Sequence, residues 1–417
     1  MRMPLSIVGR YQLVLLGSVG YPAIDELSDR LVNALNIAFS QLGVNAKKFL
    51  ISIRSGATTP DLDRRMPSVG VFFGLIPSPT LPAPDSTRLA DLLADGTLIV
   101  PVVTDTTNFT KLVPPDIAHL NGVSIADCGA DFERLAARVL EGLGLLRERR
   151  RLFISYRRAD TSAAASQLYE ALDAAGFDVF LDTHGILRPG EPFQDVLWHR
   201  LADTDVALLL DSPGFLASRW TEEELARANT SNIQILQVLW PEQSEVATAA
   251  FSTFYPLSRS DFTNTKTLGP DATLRSSTIS GIVDALESLR ARAVGARQAF
   301  LVREFAMEAR KLGLTVHTTL ERALVVLSPS GDRILVQPAI GVPDAERYER
   351  LDDLKKKDES MGRNYSGPPV LLYDQTGIRA RWLEHLDWLN DNVLCVRSLG
   401  LASARDWLAG LKSSGAL

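Results

Sequence analysis

Residues 151–160, RLFISYRRAD, decide how this chain is read. A short apolar strand ends in Ser155 and Tyr156, then Arg157, Arg158 and Asp160 follow, and a helical pattern begins at once in TSAAASQLYEALDAAG (161–176). In that helix Leu168 and Leu172 supply an apolar stripe and Gly176 a C-cap. A strand that runs into a polar turn and then a helix is where open α/β sheets place their ligand sites. Downstream, FDVFL (177–181), DVALLL (205–210) and IQILQVLW (233–240) read as strands, and STISGIVDALESLRARA (277–293) as a closing helix. Strands alternating with helices predict a parallel sheet flanked by helices.

The same alternation appears on both sides. Upstream, YQLVLLGS (11–18), FLISIR (49–54), VGVFFGLI (69–76) and TLIVPVV (97–103) are strand-like. Between the first two, Leu27, Leu31, Leu35 and Phe39 mark one face of a helix, and DFERLAARVLEGLGLL (131–146) closes the block. The segment 121–143 and the segment 258–289 both run from a strand remnant through a polar loop to an amphipathic helix, a weak internal repeat that makes the first block a divergent copy of the second. Downstream, a helix near 300–312 precedes the strand pair ALVVLSP/DRILVQP, then PPVLLYD and VLCVRSL, with helices between and after them. The charged stretch from Lys355 to Gly367 reads as a loop. The expected fold class is therefore α/β in three consecutive blocks, with domains at 1–149, 151–292 and 296–417. A chain of 417 residues exceeds what one core usually supports, in keeping with that division.

Composition narrows the function classes. With 46% hydrophobic and 23% charged residues the chain is ordinary for a folded protein. A formal net charge of −6 gives no overall basic field for a polyanion, so nucleic acid is not an expected partner. Arg147, Arg149, Arg150 and Arg151, interrupted by Glu148, read as a solvated helix end followed by a turn. Cys128 and Cys395 are far apart, give neither a disulfide framework nor metal-ligand spacing, and read as buried small hydrophobes. No apolar run reaches the ~18 residues needed to span a bilayer. Arg10 and Gln12 interrupt the N-terminal apolar stretch, so neither a membrane partner nor a signal peptide is expected and the location is read as cytoplasmic.

Four pieces carry chemistry in a fixed order: the strand end Phe153–Tyr156 with Arg157 and Arg158; Gly176-Phe177-x-Val179-Phe180-x-Asp182 followed by Gly190-Glu191 and Phe193; Ser212-Pro213; and Ser218-x-Trp220-x-x-x-Glu224-Leu225. This series, from 151 to about 292, resembles the TIR (Toll/interleukin-1 receptor) domain family, and specifically its NAD-cleaving branch. The resemblance implies a flavodoxin-like fold for the middle block and a loop around Gly190 that mediates contacts between TIR domains and borders the active site. It further implies Glu224 as the catalytic carboxylate, NAD+ as substrate with no cofactor, and self-association through the TIR domain. Phe193 would line the nicotinamide side of the pocket. Ser155, Tyr156, Arg157, Arg158, Phe193 and Trp220 complete the candidate substrate-binding set, and no metal ligand belongs to it.

The residues themselves admit plainer readings. Thr221 with Glu222, Glu223 and Glu224 is a good helix N-terminus, in which Thr221 is the N-cap and Glu224 closes a capping box; the surrounding family motifs are what move Glu224 to a catalytic reading. Glu222 and Glu223 stay first-turn acids that favour the helix dipole. Trp220 and Glu224, four apart, face the same way on a helix, and an aromatic beside a carboxylate suits a cationic ring. Arg157 and Arg158 either hold a diphosphate or form ion pairs with Asp160 or Asp182. Phe193 is also the first apolar anchor of PFQDVLWHRLAD (192–203), with Leu197 and Leu201 completing its stripe. Gly17-Ser18-Val19-Gly20 lacks a full G-x-G-x-x-G and reads as a tight turn, and the first block has no Arg pair and no Trp-x-x-x-Glu, so it is read as non-catalytic. His184 and His199 have no nucleophile at motif spacing.

Two function classes follow. One is an NAD+ glycohydrolase, giving ADP-ribose or its cyclic form, in a prokaryotic antiviral or stress effector switched on by self-association. The other is a non-catalytic adaptor that assembles signalling complexes. Glu224 with its upstream arginines favours the enzyme.

Overall fold

The computed structural model describes residues 11–18, 22–64, 66–147, 149–181, 193–213, 215, 233–243, 252–266, 268–319 and 322–414. Contacts divide the chain into two compact units, one spanning residues 7–148 and the other residues 149–417.

In the first unit, β1 (Tyr11–Gly17), β2 (Leu50–Ile53), β3 (Ser68–Gly74), β4 (Ile99–Val103) and β5 (Val123–Ser124) form one sheet in the order β2-β1-β3-β4-β5. Every pairing in it is parallel. The helix Pro22–Gln41 buries Leu27, Leu31, Leu35 and Phe39, the stripe its sequence predicts.

The second unit contains two sheets. β6 (Arg150–Ser155), β7 (Phe177–Leu181), β8 (Val206–Asp211), β9 (Gln234–Leu239) and β10 (Ser252–Pro256) are all parallel, in the order β10-β9-β8-β6-β7. Numbered within their own blocks, this sheet and the first share one strand order, 2-1-3-4-5, the flavodoxin-like arrangement. β8 and β9 are buried along their whole length, which is why their sequences read as unbroken apolar runs rather than alternating ones. Alternation still sorts them between two layers. Leu152, Ile154, Tyr156, Val206, Leu208 and Leu210 pack toward the helix Arg158–Ala174, with Leu168 and Leu172. Phe153, Ala207 and Leu209 face the other way, against Leu197, Trp198 and Leu201 of the helix Phe193–Asp203 and against Phe215, Ile233 and Ile235.

The third sheet mixes directions. β11 (Thr315–Thr318), β12 (Leu324–Leu327) and β13 (Arg333–Ala339) are antiparallel neighbours, whereas β14 (Val370–Tyr373) and β15 (Arg397–Gly400) continue it in parallel. A single helix of 36 residues, Ser276–Lys311, serves both sheets of this unit. Ile282, Val283, Leu286, Leu289 and Ala293 belong to the core under β6–β10, and Phe305 and Ala309 to the core under β11–β15. The sequence reading places two helices here, one over 277–293 and one near 300–312. The physical reason is that the stripe has two different sheets to cover, and the boundary expected between 292 and 296 falls inside the continuous helix.

Arginines fasten this helix to the N-terminal edge of the second sheet. Arg290, fully buried, donates from Nε to Asp205 Oδ2 at 3.1 Å. Arg297 donates to the carbonyls of Thr204 at 2.8 Å and Ala202 at 2.7 Å. From the third block, the Val342 N–H donates to Asp203 Oδ1 at 3.0 Å, and Asp203 also pairs with Arg151.

Three expectations need correction. Arg150 and Arg151 are not a solvated helix end: they open β6, where Arg150 pairs with the buried Glu287 and Arg151 with Asp203. Residues 355–360 are not loop: the helix Ala345–Ser360 continues through them, carried by Lys356–Asp352 at 2.6 Å and Lys355–Glu359 at 3.5 Å, both one helical turn apart. Cys128 is buried but Cys395 is exposed, because it lies before β15, which begins at Arg397, and the chain enters the core only at Val396.

Candidate functional site

In the second sheet the order reverses beside β6, whose neighbours are β7 on one side and β8 on the other. The crevice beyond the C-terminal ends of β6 and β8 is therefore the topological switch point, where such sheets bind ligands. Ser155 ends β6, is fully buried and pairs in register with Leu209 of β8. By alternation Ser155 and Asp211, the last residue of β8, share the face of Phe153, Ala207 and Leu209.

Elements next to other candidates in the chain also lie on that face. Phe193 opens the helix whose Leu197, Trp198 and Leu201 cover it. Phe215 and Ile233, both buried in the same cluster, flank the stretch of sequence that carries Trp220 and Glu224. Trp220 and Glu224 lie outside the described residues, as do Asp182, His184, Gly190 and Glu191, and Val19 and Gly20 of the upstream turn.

Tyr156, Arg157 and Arg158 take different places. Tyr156 is buried in the opposite layer, with Leu168 and Leu172. Arg157 sits at the N-cap of the helix Arg158–Ala174. Its Nη1 donates to Asp160 Oδ2 at 3.4 Å and to the Pro213 carbonyl at 3.3 Å, while Ser212 Oγ donates to the same Asp160 oxygen at 2.7 Å. Asp160 thereby ties the turn after β6 to the turn after β8 across the mouth of the crevice. Of the two readings open for Arg157, the ion pair with Asp160 is formed, although at 43% side-chain exposure it contributes only about 0–1 kcal/mol. Arg158 is exposed, and its side chain makes no hydrogen bond or ion pair to a described residue.

Sequence reasoning passed over Asp211. The run VALLLD shows an acid at the end of an apolar strand, but only the fold shows that the acid is inside. Asp211 is 5% exposed, and its carboxyl group has no hydrogen-bond partner among the described residues. Burial pushes its pKa up to about 6, from an ordinary 3.8. The sign of the linkage is definite. The folded state holds the proton more tightly than the unfolded chain, so this contribution to stability is complete below pH ~4 and is lost as pH rises to about 6. Relative to Asp211→Asn, the wild type is expected to lose roughly 1–2 kcal/mol across that window, after solvent screening, and no more above it. Denaturant unfolding of both proteins from pH 4 to 8 measures this, and a difference that does not vary with pH would remove the assignment.

His199 is structural by the same tests. Its Nδ1 accepts from the Arg379 N–H at 3.4 Å, its ring lies against Trp382, and burial, with Arg200, Arg379 and Arg151 nearby, lowers its pKa to about 4. Among the described residues no cluster of three His, Cys, Asp or Glu side chains is arranged to hold a metal ion. Among them also, no helix is long and apolar enough to cross a membrane.

Comparison with curated proteins and with solved structures gave no match. A comparison with protein families did: the family model for the TIR domain matches residues 152–268, the stretch that builds β6 to β10 and this crevice, and in that segment the chain carries a TIR domain.

Proposed function

We propose that the TIR domain cleaves NAD+ between nicotinamide and ribose. The observation that supports this best is at the switch point: the buried end of β6 at Ser155, the helix that begins at Phe193, and Phe215 and Ile233, which are buried on one face and flank in sequence the stretch that carries Trp220 and Glu224. In this reading Glu224 stabilises the positive charge that develops on the ribose as nicotinamide leaves, as in glycoside hydrolysis. Nicotinamide departs from a pyridinium as a neutral base, so no general acid is needed. Water adds to the ribose carbon and loses a proton, giving ADP-ribose; capture by a group of the same nucleotide gives a cyclic product instead. Trp220 stacks on the cationic ring, Phe193 borders it, and Arg158 meets the diphosphate.

Unrestrained cleavage would exhaust the NAD+ of a cell, so the domain fits an effector, antiviral or stress-responsive, that works once its copies assemble. Specific activity is then expected to rise with protein concentration. Activity per molecule that stays constant from nanomolar to micromolar protein would remove the assembly requirement.

The deciding experiment incubates the full chain with NAD+, separates the products, and compares wild type with Glu224→Gln and Glu224→Ala. Turnover that vanishes in both variants while they remain folded supports the assignment, and undiminished turnover overturns it. A wild type that is silent even under crowding conditions that promote assembly leaves the adaptor class.

A further inference from the structure

Asp211 is an acid with little exposed surface at the end of β8, on the face it shares with Ser155. No described residue donates to this carboxylate, and although the residue as a whole is 5% exposed, its oxygens are not sealed from solvent. Its neighbour Ser212 turns its hydroxyl to Asp160 in the other turn, so the link across the crevice mouth does not use Asp211 either. The Asp211 backbone is held firmly, its carbonyl accepting from the Trp240 N–H at 2.9 Å. The side chain is thus fixed at the strand terminus on the face it shares with Ser155, while its acceptor oxygens are left without use. An acid at the C-terminal end of a strand next to the switch point stands where open α/β sheets contact their ligands.

We propose that Asp211 is a substrate-contacting residue of the TIR site, whose carboxylate accepts hydrogen bonds from the vicinal hydroxyls of a ribose. This assignment rests on the NAD+-cleaving reading above and names a group that recognises that substrate. The chemistry selects the ligand. A carboxylate has two acceptor oxygens and no donor, so it suits two adjacent O–H donors and rejects the diphosphate. An acid in the strand-end region of an open α/β sheet is also a recurrent way to hold ribose hydroxyls. Asp211 then positions the sugar, and the charge that assists its cleavage is left to Glu224.

The test measures equilibrium binding of two probes to the full chain by calorimetry in a Glu224→Gln background, which prevents turnover: NAD+ itself, and an NAD+ analogue lacking both hydroxyls of the nicotinamide-bearing ribose. The expected result is that the analogue binds about 10- to 100-fold more weakly than NAD+, the range set by two hydrogen bonds to a charged group. Adding Asp211→Asn should weaken NAD+ to a similar degree and leave the analogue almost unchanged. Comparison of the two probes on the background protein needs no change at Asp211, so it stands even if that variant folds poorly. If Asp211→Asn binds NAD+ as tightly as its parent, or if both probes weaken equally, the proposal is overturned while the NAD+-cleaving reading survives. If the parent binds neither probe and the wild type cleaves no NAD+, both fall together.

Discussion

Replacement of Arg290 by alanine is expected to lower the stability of the unit spanning residues 149–417 by about 3–5 kcal/mol. Arg290 and Asp205 are both fully buried, and the arginine Nε donates to Asp205 Oδ2 at 3.1 Å. Asp205 lies immediately before β8 and also accepts from the Arg151 N–H at 3.3 Å, so the pair links the long helix to the base of the sheet. Alanine would remove the cation and the volume of its side chain while leaving the anion in place, and breaking a buried pair from one side is far more harmful than removing it whole. The double variant Arg290→Met with Asp205→Asn should therefore recover a large part of the loss. Denaturant unfolding followed by circular dichroism reads both effects. A single-variant loss below about 1 kcal/mol would show that water or neighbouring groups replace the arginine.

Under the proposed activity, Glu224→Gln is expected to reduce kcat by at least about 10²–10³-fold while NAD+ affinity changes little, the scale of losing one well-placed electrostatic group. Glutamine keeps the shape of the side chain and removes only its charge. The ground state already carries its positive charge on the pyridinium ring, and during cleavage that charge moves to the sugar, so a carboxylate beside the ribose carbon favours the transition state over the bound substrate. Single-turnover kinetics at saturating NAD+ separate this from a binding defect. A raised KM with unchanged kcat would place Glu224 in substrate recognition instead.

Much of the middle sheet was legible in the sequence because strands covered on both faces become continuous apolar runs with sharp ends. LFISY, FDVFL, DVALLL and IQILQVLW each lie within a residue or two of β6, β7, β8 and β9. The strands that sequence reading passed over are edges: β10, STFYP, and β11, TVHT, each have one neighbour and few apolar residues to mark them. The shared strand order of the first two sheets gives the weak sequence repeat a structural counterpart. At the candidate site, residue type and spacing named Ser155, Tyr156 and the turn after them as one group. They did not separate Tyr156, which packs in the opposite layer, from Ser155 at the crevice, because that difference is one step of strand alternation. Asp211 escaped for another reason: a sequence displays an acid but not the dielectric around it.

The 36-residue helix has a practical corollary for dissecting this protein. Shortening the chain at residue 292 would sever a shared beam near its midpoint. It would delete the Arg297 guanidinium that grips the Thr204 and Ala202 carbonyls, and it would leave Asp203 without its tether at Val342. A TIR fragment meant to retain its native footing has to run past Leu312, and it then needs β11–β15 to cover Phe305 and Ala309. In mechanical terms the TIR domain and its C-terminal neighbour stand on one girder, so a twist applied at either end is delivered to the other.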